Sequence, residues 1–217
     1  SQNACPWTFD EYDMAREELF YASLQVRKAF VLESPYIKRN LFVYEAYNNG
    51  KYTIAEKQQM FPHLFNSLSV VIPVLSSTFA SVGRFLKHAG NMSLGMLLID
   101  ESGQAVPQSA LGAIYRTRRA VVVGDPLQVE PVVTIPKVLI DILADSTCVA
   151  NEYKVIENST QTFADNINEF NGMIGERQVG CPLVVHRRCI EPMFSISNLI
   201  SYDNRMFNKT NKKEEYL

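Results

Sequence analysis

Two adjacent carboxylates follow an apolar run and are the side chains of this sequence best suited to chemistry. Leu97-Leu98-Ile99 is followed directly by Asp100 and Glu101. A continuous aliphatic run is typical of a buried parallel strand, and ligands of open α/β sheets bind where such strands end. One carboxylate there can hold a hydrated magnesium ion while the other orients and deprotonates an attacking water. The pattern therefore predicts a site that hydrolyses a nucleoside triphosphate.

A second apolar run further along the chain ends in another polar turn. Val121-Val122-Val123 precedes Gly124 and Asp125, and Gln128 follows three residues later. Right-handed crossovers between parallel strands bring strand ends to one edge of a sheet, so we expect the two turns to be neighbours. Gly124 and Asp125 are predicted to shape the turn, because glycine adopts backbone angles that other residues avoid. From its residue type alone, Gln128 is a turn-stabilising amide.

Together these segments resemble consecutive motifs II and III of superfamily one helicases. They read Asp-Glu-Ser-Gly-Gln-Ala from Asp100 and Gly-Asp-Pro-Leu-Gln-Val-Glu-Pro-Val from Gly124, in the order and spacing of that family. Leu183–Pro192 resembles the segment that opens the second RecA-like domain of these enzymes, and Val74–Ser81 resembles a strand and polar turn that contacts nucleic acid. Motif II is similar to that of the branch containing the nonsense-mediated-decay helicase, where Asp-Glu-Ser is followed by a glutamine. The resemblance extends over residues 70–207.

The resemblance implies an ATP-dependent motor with ATP and Mg²⁺ as ligands. Asp100 of this Walker B segment would hold Mg²⁺ through water, and Glu101 would be the general base. Gln128 matches the glutamine that senses the γ-phosphate and links hydrolysis to strand movement. The matched positions assigned to nucleotide and metal binding are Asp100, Gln104, Gly124 and Asp125.

The resemblance also implies an arginine at the γ-phosphate and a contact to DNA or RNA. Arg188 aligns best with that arginine, and Arg187 is the competing assignment. A guanidinium there would stabilise charge on the transferred phosphoryl group. The hydroxyls and amides predicted to contact the nucleic-acid backbone are those of Ser76, Ser77 and Thr78, although such hydroxyls also satisfy local turns.

Several features depart from the family pattern and leave more than one function open. Gly103 replaces the more usual Thr, Glu130 stands where close relatives have Gly, and His186-Arg187 replace Gln-Tyr. The Gly-rich phosphate loop ending in Gly-Lys-Ser/Thr is absent, since Gly50-Lys51 is followed by Tyr52. We expect a fragment of a helicase whose remaining motifs come from missing parts of the same chain. The alternatives are a degenerate nucleic-acid or protein binding module without hydrolysis and a non-helicase nucleotide hydrolase.

The predicted fold class is α/β, with a RecA-like parallel sheet of the P-loop NTPase type and an N-terminal helical region. The predicted domains are residues 1–69, a helical insertion or stalk, residues 70–180, the C-terminal part of the first RecA-like domain, and residues 181–217, the start of the second. Helices are expected over 12–29, after Ser34-Pro35 up to Asn49-Gly50, and after Thr53, this last one cut short by Pro62. Later helices are expected over 107–115, 137–143 and 163–173, with Thr162 as the final cap. Strands are expected over 70–75, 94–99, 120–123 and 183–186.

The amino-acid composition limits which other classes of protein fit this sequence. The 217 residues are 47% hydrophobic with a formal net charge of −2, so the chain has a core but no overall basic field for nucleic acid. No run approaches the roughly 20 apolar residues that span a bilayer, and no membrane partner is expected. The cysteines form no Cys-x-x-Cys pair, which indicates a reducing, cytoplasmic setting. His186 and Cys189 have a metal-like spacing without two further ligands nearby, which disfavours zinc.

Overall fold

The computed structural model describes residues 9–150, 153, 154, 156, 158–175 and 177–210. These residues form two compact units, here called the N-terminal unit (residues 9–97 and 112–119) and the C-terminal unit (residues 98–111 and 120–210). The predicted domain boundaries at residues 69/70 and 180/181 stay predictions, and the ends of the first and last predicted domains, residues 1–8 and 211–217, lie outside the described residues.

Local sequence signals explain where the helices of the N-terminal unit begin and end. The helices are α1 (Asp10–Glu33), α2 (Pro35–Asn48), α3 (Ile54–Val71) and α4 (Phe79–Phe85). The Ser34 side chain caps α2 by accepting from the Ile37 N–H, and Pro35 occupies the first turn. Thr53 and Glu56 form the reciprocal capping box expected for α3. The expected caps are therefore confirmed for both helices.

A small aromatic core holds this unit together. Phe61 and Phe65 of α3 are buried, and their rings stack with centroids 3.9 Å apart. Leu86 and Ala89 complete the buried cluster, and the partly buried Tyr44 of α2 packs against it. Burying side chains of this size removes enough apolar surface to anchor α3 on its neighbours, by roughly 1.5–3 kcal/mol for each side chain.

Two expectations for this unit were wrong, both near α3. Pro62 was expected to end the helix, yet α3 continues to Val71 with Pro62 inside it. Proline in a helix costs about 3 kcal/mol, and the burial of Phe61, Leu64 and Phe65 on one face outweighs that cost. The strand expected over 70–75 is absent from the described structure, because α3 extends to Val71 and residues 72–78 are exposed and irregular. Pro73 there lacks the N–H that a ladder requires.

The C-terminal unit alternates short strands and helices. Its elements include β1 (Leu97–Ile99, which begins in the N-terminal unit), α5 (Pro107–Tyr115, which ends there), β2 (Ala120–Val122), α6 (Lys137–Ser146), α7 (Thr160–Ile167), β3 (Gly172–Ile174), β4 (Arg177–Val179), β5 (Val185–His186), α8 (Met193–Ser201) and β6 (Phe207–Asn208). The expected strands over 94–99, 120–123 and 183–186 are confirmed in shortened form, and the expected helix over 107–115 is confirmed at both ends. The expected helix over 137–143 is confirmed and extends to Ser146.

The strands pair as three two-stranded sheets, so the described residues hold small parallel sheets rather than one continuous RecA-like sheet. β1 pairs with β2, β5 pairs with β6 in parallel, and β3 pairs with β4 antiparallel. The N–H of Val123 donates to the carbonyl of Ile99 at 2.8 Å, which carries the β1–β2 pairing to the ends of both strands. This places the turns after β1 and β2 side by side, as expected.

The helix expected over 163–173 was wrong in its bounds. α7 starts at Thr160 and ends at Ile167, and residues 172–174 form β3. Ser159 is its cap, and Thr162 supplies the third residue of a capping box rather than the cap itself. None of the described helices is long and apolar enough to cross a membrane.

Candidate nucleotide-hydrolysis site

The two carboxylates of motif II stand on an exposed loop directly after β1. We call residues Asp100–Ala105 the acid loop. Asp100 and Glu101 are both exposed, and Asp100 Oδ1 accepts a hydrogen bond from the Glu101 N–H at 3.0 Å. A short 3₁₀ helix, Ser102–Gln104, follows, and its Gln104 Nε2 donates to Glu101 Oε2 at 3.2 Å. Both carboxylates are thus available to a ligand at a strand end.

Glu101 has a backbone conformation that is unusual for its residue type. Its φ of 53° and ψ of 37° place it in the left-handed region, where a side chain crowds the carbonyl oxygen. This conformation costs roughly 1–2 kcal/mol for a residue other than glycine. Strain of this kind persists only where surrounding contacts hold the residue, and it clusters at functional sites. The next residue, Ser102, is fully buried and provides such contacts.

The acid loop lies against the turn that follows β2 with no space for extra atoms. We call Gly124–Gln128 the glycine turn. A Cβ on Gly103 would lie 2.4 Å from the carbonyl oxygen of Asp125, and one on Gly124 would lie 2.5 Å from Ser102 Oγ. The Ser102 N–H also donates to the Val123 carbonyl at 3.0 Å. Close backbone contact therefore explains both glycines, including Gly103 where the family more often has Thr.

Asp125 organises the glycine turn from its centre. Its Oδ1 accepts from the Leu127 N–H at 2.9 Å, and its Oδ2 accepts from Gln128 Nε2 at 2.8 Å. The Tyr202 hydroxyl at the end of α8 donates to the same Oδ2. Burial, and then the hydrogen bond to the Asp125 carboxylate, raise the pKa of Tyr202 to about 12. The predicted role of Asp125 as a turn-shaping acceptor thus has a geometric basis, and Gln128 is exposed beside it.

The arginine segment forms a tight turn after β5. Arg187 and Arg188 are exposed, and the turn is closed by the Cys189 N–H, which donates to His186 Nε2 at 2.6 Å. This hydrogen bond uses the backbone of Cys189 and not its thiol. Within the described ranges, no group of three or more His, Cys, Asp or Glu side chains could hold a metal ion. No hydrogen bond or ion pair joins Arg188 to the acid loop in the same ranges, so its assignment over Arg187 stays a prediction.

The predicted nucleic-acid contacts lie in the N-terminal unit. Ser76, Ser77 and Thr78 are exposed on the irregular segment before α4. Ser77 Oγ donates to the Thr78 carbonyl at 3.3 Å, and Thr78 precedes α4 without a capping side-chain bond. Exposed hydroxyls of this kind suit phosphate contacts, and their role stays a prediction.

Three residues of the site were not identified from the sequence. Gln161 and Asp165 of α7 are buried; Gln161 accepts a hydrogen bond from Ser102 of the acid loop and donates one to Asp165. Tyr202 donates to Asp125 of the glycine turn. The one available signal for the first pair is their separation of four residues, which puts two polar side chains on one face of a short helix. No local signal singles out Tyr202, because its partner is 77 positions away in the chain.

Comparison with known proteins supports a nucleotide-binding, helicase-type domain for part of the chain. Residues 38–135 match the family model of an AAA domain. The matched segment contains the acid loop and the glycine turn, the two motifs with close mutual packing. Neither the curated proteins nor the solved structures that were compared contain a match to this chain.

Proposed function

We propose that this chain contributes the water-activating part of an ATP-dependent motor of the superfamily one helicase type, similar to the branch of the nonsense-mediated-decay helicase. The observation that carries the proposal is the pair of exposed carboxylates on a strand-end loop that packs against the glycine turn, at Gly103 and Gly124. The AAA domain match over residues 38–135 supports the same class. A RecA-like arrangement of the complete domain is part of the proposal.

In this proposal Glu101 is the general base. Its exposed carboxylate can accept the proton of a water molecule, and the left-handed backbone fixes the direction in which it projects. The Gln104 amide, which donates to Glu101 Oε2, orients that carboxylate. The Asp125 carboxylate holds the amide of Gln128, leaving the Gln128 carbonyl oxygen to hydrogen-bond the attacking water or a phosphate-bound group.

Asp100 is the residue that would hold Mg²⁺. Carboxylate oxygens are the ligands this ion prefers, and one carboxylate with several waters is a common arrangement at nucleotide sites. Asp100 is exposed at the strand end and only one of its oxygens is used by the local turn, so it fits this role. A bound Mg²⁺ would neutralise charge on the phosphate groups.

The proposal extends to the remaining partners. Arg188 would stabilise charge on the γ-phosphate, and Ser76, Ser77 and Thr78 would contact the backbone of DNA or RNA. In the proposed motor, groups outside these 217 residues would hold the β- and γ-phosphates. A cytoplasmic setting is also proposed, because Cys148, Cys181 and Cys189 are free thiols.

The missing phosphate loop favours one further candidate, a binding module that has the site geometry without hydrolysis. ATP hydrolysis by the full-length protein, with and without single-stranded DNA or RNA, separates the two functions. The motor is expected to turn over ATP, and Glu101→Gln is expected to abolish turnover while ATP binding is retained. Folded wild-type protein that binds nucleic acid yet leaves ATP intact would establish the binding module. Equal turnover by wild type and variant would remove Glu101 as the base.

A further inference from the structure

A buried polar chain connects α7 to the acid loop. Ser102 Oγ donates to Gln161 Oε1 at 2.6 Å, and Gln161 Nε2 donates to Asp165 Oδ1 at 2.7 Å. The exposed fractions of the three residues are 0%, 8% and 5%. We call these three residues the relay. It begins within the acid loop at Ser102, the residue after Glu101, and the hydrolytic roles proposed above do not use it.

The far end of the relay is tied to a second element. The Gly180 N–H, just after β4, donates to Asp165 Oδ1 at 3.1 Å. A Cβ on Gly180 would lie 2.7 Å from Asn168 Nδ2 and 3.0 Å from Asp165 Oδ1, so the backbone approaches the carboxylate closely. The relay thus extends from the acid loop through α7 to the end of β4, and its two ends are held by separate parts of the unit.

Asp165 is unusual as a purely structural acceptor. Its second oxygen, Oδ2, is buried and has no hydrogen-bond partner among the described residues. A buried carboxylate with an unsatisfied oxygen is unfavourable compared with an apolar residue of similar size. An unsatisfied buried polar group in a folded protein calls for a specific explanation, and a functional role is one such explanation. The specific hydrogen bonds of Oδ1 are the feature that an apolar side chain could not replace.

The relay ends at Ser102, next to the residue whose backbone is strained. Ser102 follows Glu101 directly, and its N–H and hydroxyl are held by the Val123 carbonyl and Gln161. Glu101 can keep its left-handed conformation only while its neighbours are held, because an extended backbone is more favourable for a glutamate. Loss of the bond to Gln161 would leave the Ser102 side chain free and would allow Glu101 to relax.

We propose that Gln161 and Asp165 are positioning residues for Glu101, holding its carboxylate in direction through Ser102. This inference rests on the proposed function, since it assigns the relay to the same site. A reacting group displaced by about 1 Å loses on the order of 100-fold in rate. Breaking the relay is therefore expected to reduce the rate of the chemical step while leaving the binding of ATP largely unchanged.

The chain offers matched variants for the test. Gln161→Ala breaks the relay in its middle. Thr162→Ala removes the adjacent side chain, which serves the capping box of the same helix and, among the described residues, has no hydrogen bond to Ser102. Asp165→Asn keeps an Oδ1 acceptor and replaces only the oxygen without a partner, whereas Asp165→Ala removes both oxygens. Ser102→Ala breaks the first bond from the other end and serves if Gln161→Ala does not fold.

Two readouts on the full-length protein test the relay. Amide hydrogen exchange of residues 100–105 is expected to be faster in Gln161→Ala and Asp165→Ala, and close to wild type in Thr162→Ala and Asp165→Asn. In the same two relay-breaking variants, kcat for ATP hydrolysis should fall roughly 10- to 100-fold with KM changed by less than about twofold. Stability of each variant is measured in parallel, so that a general loss of folding is recognised.

The outcomes separate the inference from the proposed function. If Gln161→Ala and Thr162→Ala match in exchange and in kcat, the relay is only part of the core and the inference is overturned. If wild type and Glu101→Gln hydrolyse ATP equally, the proposed function fails. Faster exchange in the relay-breaking variants alone would then still establish that α7 holds the acid loop.

Discussion

The hydroxyl of Tyr202 donates a hydrogen bond to the carboxylate of Asp125, which lies 77 positions earlier in the chain. The same carboxylate oxygen accepts from the amide of Gln128. The end of α8 is therefore bonded to the glycine turn. Asp125 is the common acceptor for Gln128 and for Tyr202.

This contact predicts a pH-dependent stability. The pKa of Tyr202 is raised to about 12 by burial first and by Asp125 second, against about 10 for an unfolded tyrosine. Because the folded state retains the proton at higher pH, the stability from Tyr202 is fully present below pH 10. It is lost as pH rises from about 10 through 12. The free energy of unfolding of wild type minus that of Tyr202→Phe should therefore decrease over this interval.

Ultraviolet absorbance checks the same pKa directly. The difference between the phenolate titrations of wild type and Tyr202→Phe should have its midpoint near pH 12. Asp125→Asn should lower this midpoint only in part, since burial is the larger cause. A midpoint near pH 10 for Tyr202 in the folded protein would contradict the part-buried contact with Asp125.

A second prediction concerns the close contact of the two loops. Gly103→Ala should destabilise the protein by roughly 1–3 kcal/mol, because the new Cβ would lie 2.4 Å from the carbonyl oxygen of Asp125. This oxygen belongs to the backbone and cannot move aside as the end of a flexible side chain can. Gly83→Ala is the control, since a Cβ at that helical position meets nothing within 4 Å and helix propensity favours alanine. Chemical denaturation of both variants measures the difference. Equal stability would mean that the acid loop does not pack as described.

The aromatic core of the N-terminal unit gives a third prediction. Phe61 is 1% exposed and stacks on Phe65, so Phe61→Ala should cost about 3–5 kcal/mol. Phe42, on α2, is 78% exposed, and Phe42→Ala should change stability by less than about 0.5 kcal/mol. Thermal and urea unfolding compare the pair. A small effect at Phe61 would show that α3 is held by other contacts.

The choice between two arginines gives a fourth prediction. Arg188→Ala should lower kcat for ATP hydrolysis by roughly 10³-fold or more with a smaller effect on ATP binding, because an arginine at the γ-phosphate acts on developing charge. Arg187→Ala is the matched control, being the adjacent exposed residue of the same turn, and should retain most of the turnover. Steady-state kinetics with single-stranded nucleic acid present would measure both. The reverse pattern would transfer the role to Arg187.

Much of the local structure was readable from residue types. Ser34-Pro35, Thr53 with Glu56, and the aliphatic run before Asp100 each produced the predicted cap or strand. These features depend on bonds between residues only a few positions apart, so sequence spacing is sufficient to specify them. The neighbouring placement of the turns after β1 and β2 followed from the parallel order of their strands.

The sequence alone gave the wrong secondary structure where packing against distant residues opposes the local conformational preference. Pro62 should stop a helix, and the β-branched residues from Val70 should favour a strand, yet α3 includes Pro62 and continues to Val71. The deciding contribution is the burial of Phe61 and Phe65. They are buried together with Leu86 and Ala89, more than 20 positions away, and short stretches of sequence do not show this contact. Propensity differences of this kind are weak beside tertiary packing.

The amino-acid sequence was sufficient to identify the types and order of the groups at the site: two carboxylates after a strand, a glycine turn with Asp125 and Gln128, and an arginine pair further on. How the acid loop is held became clear from the folded structure. The relay through Gln161 and Asp165, the clash that excludes a side chain at Gly103, and the bond from Tyr202 to Asp125 each join residues far apart in the chain. Such contacts depend on packing between elements, and packing is set by the fold as a whole rather than by local spacing.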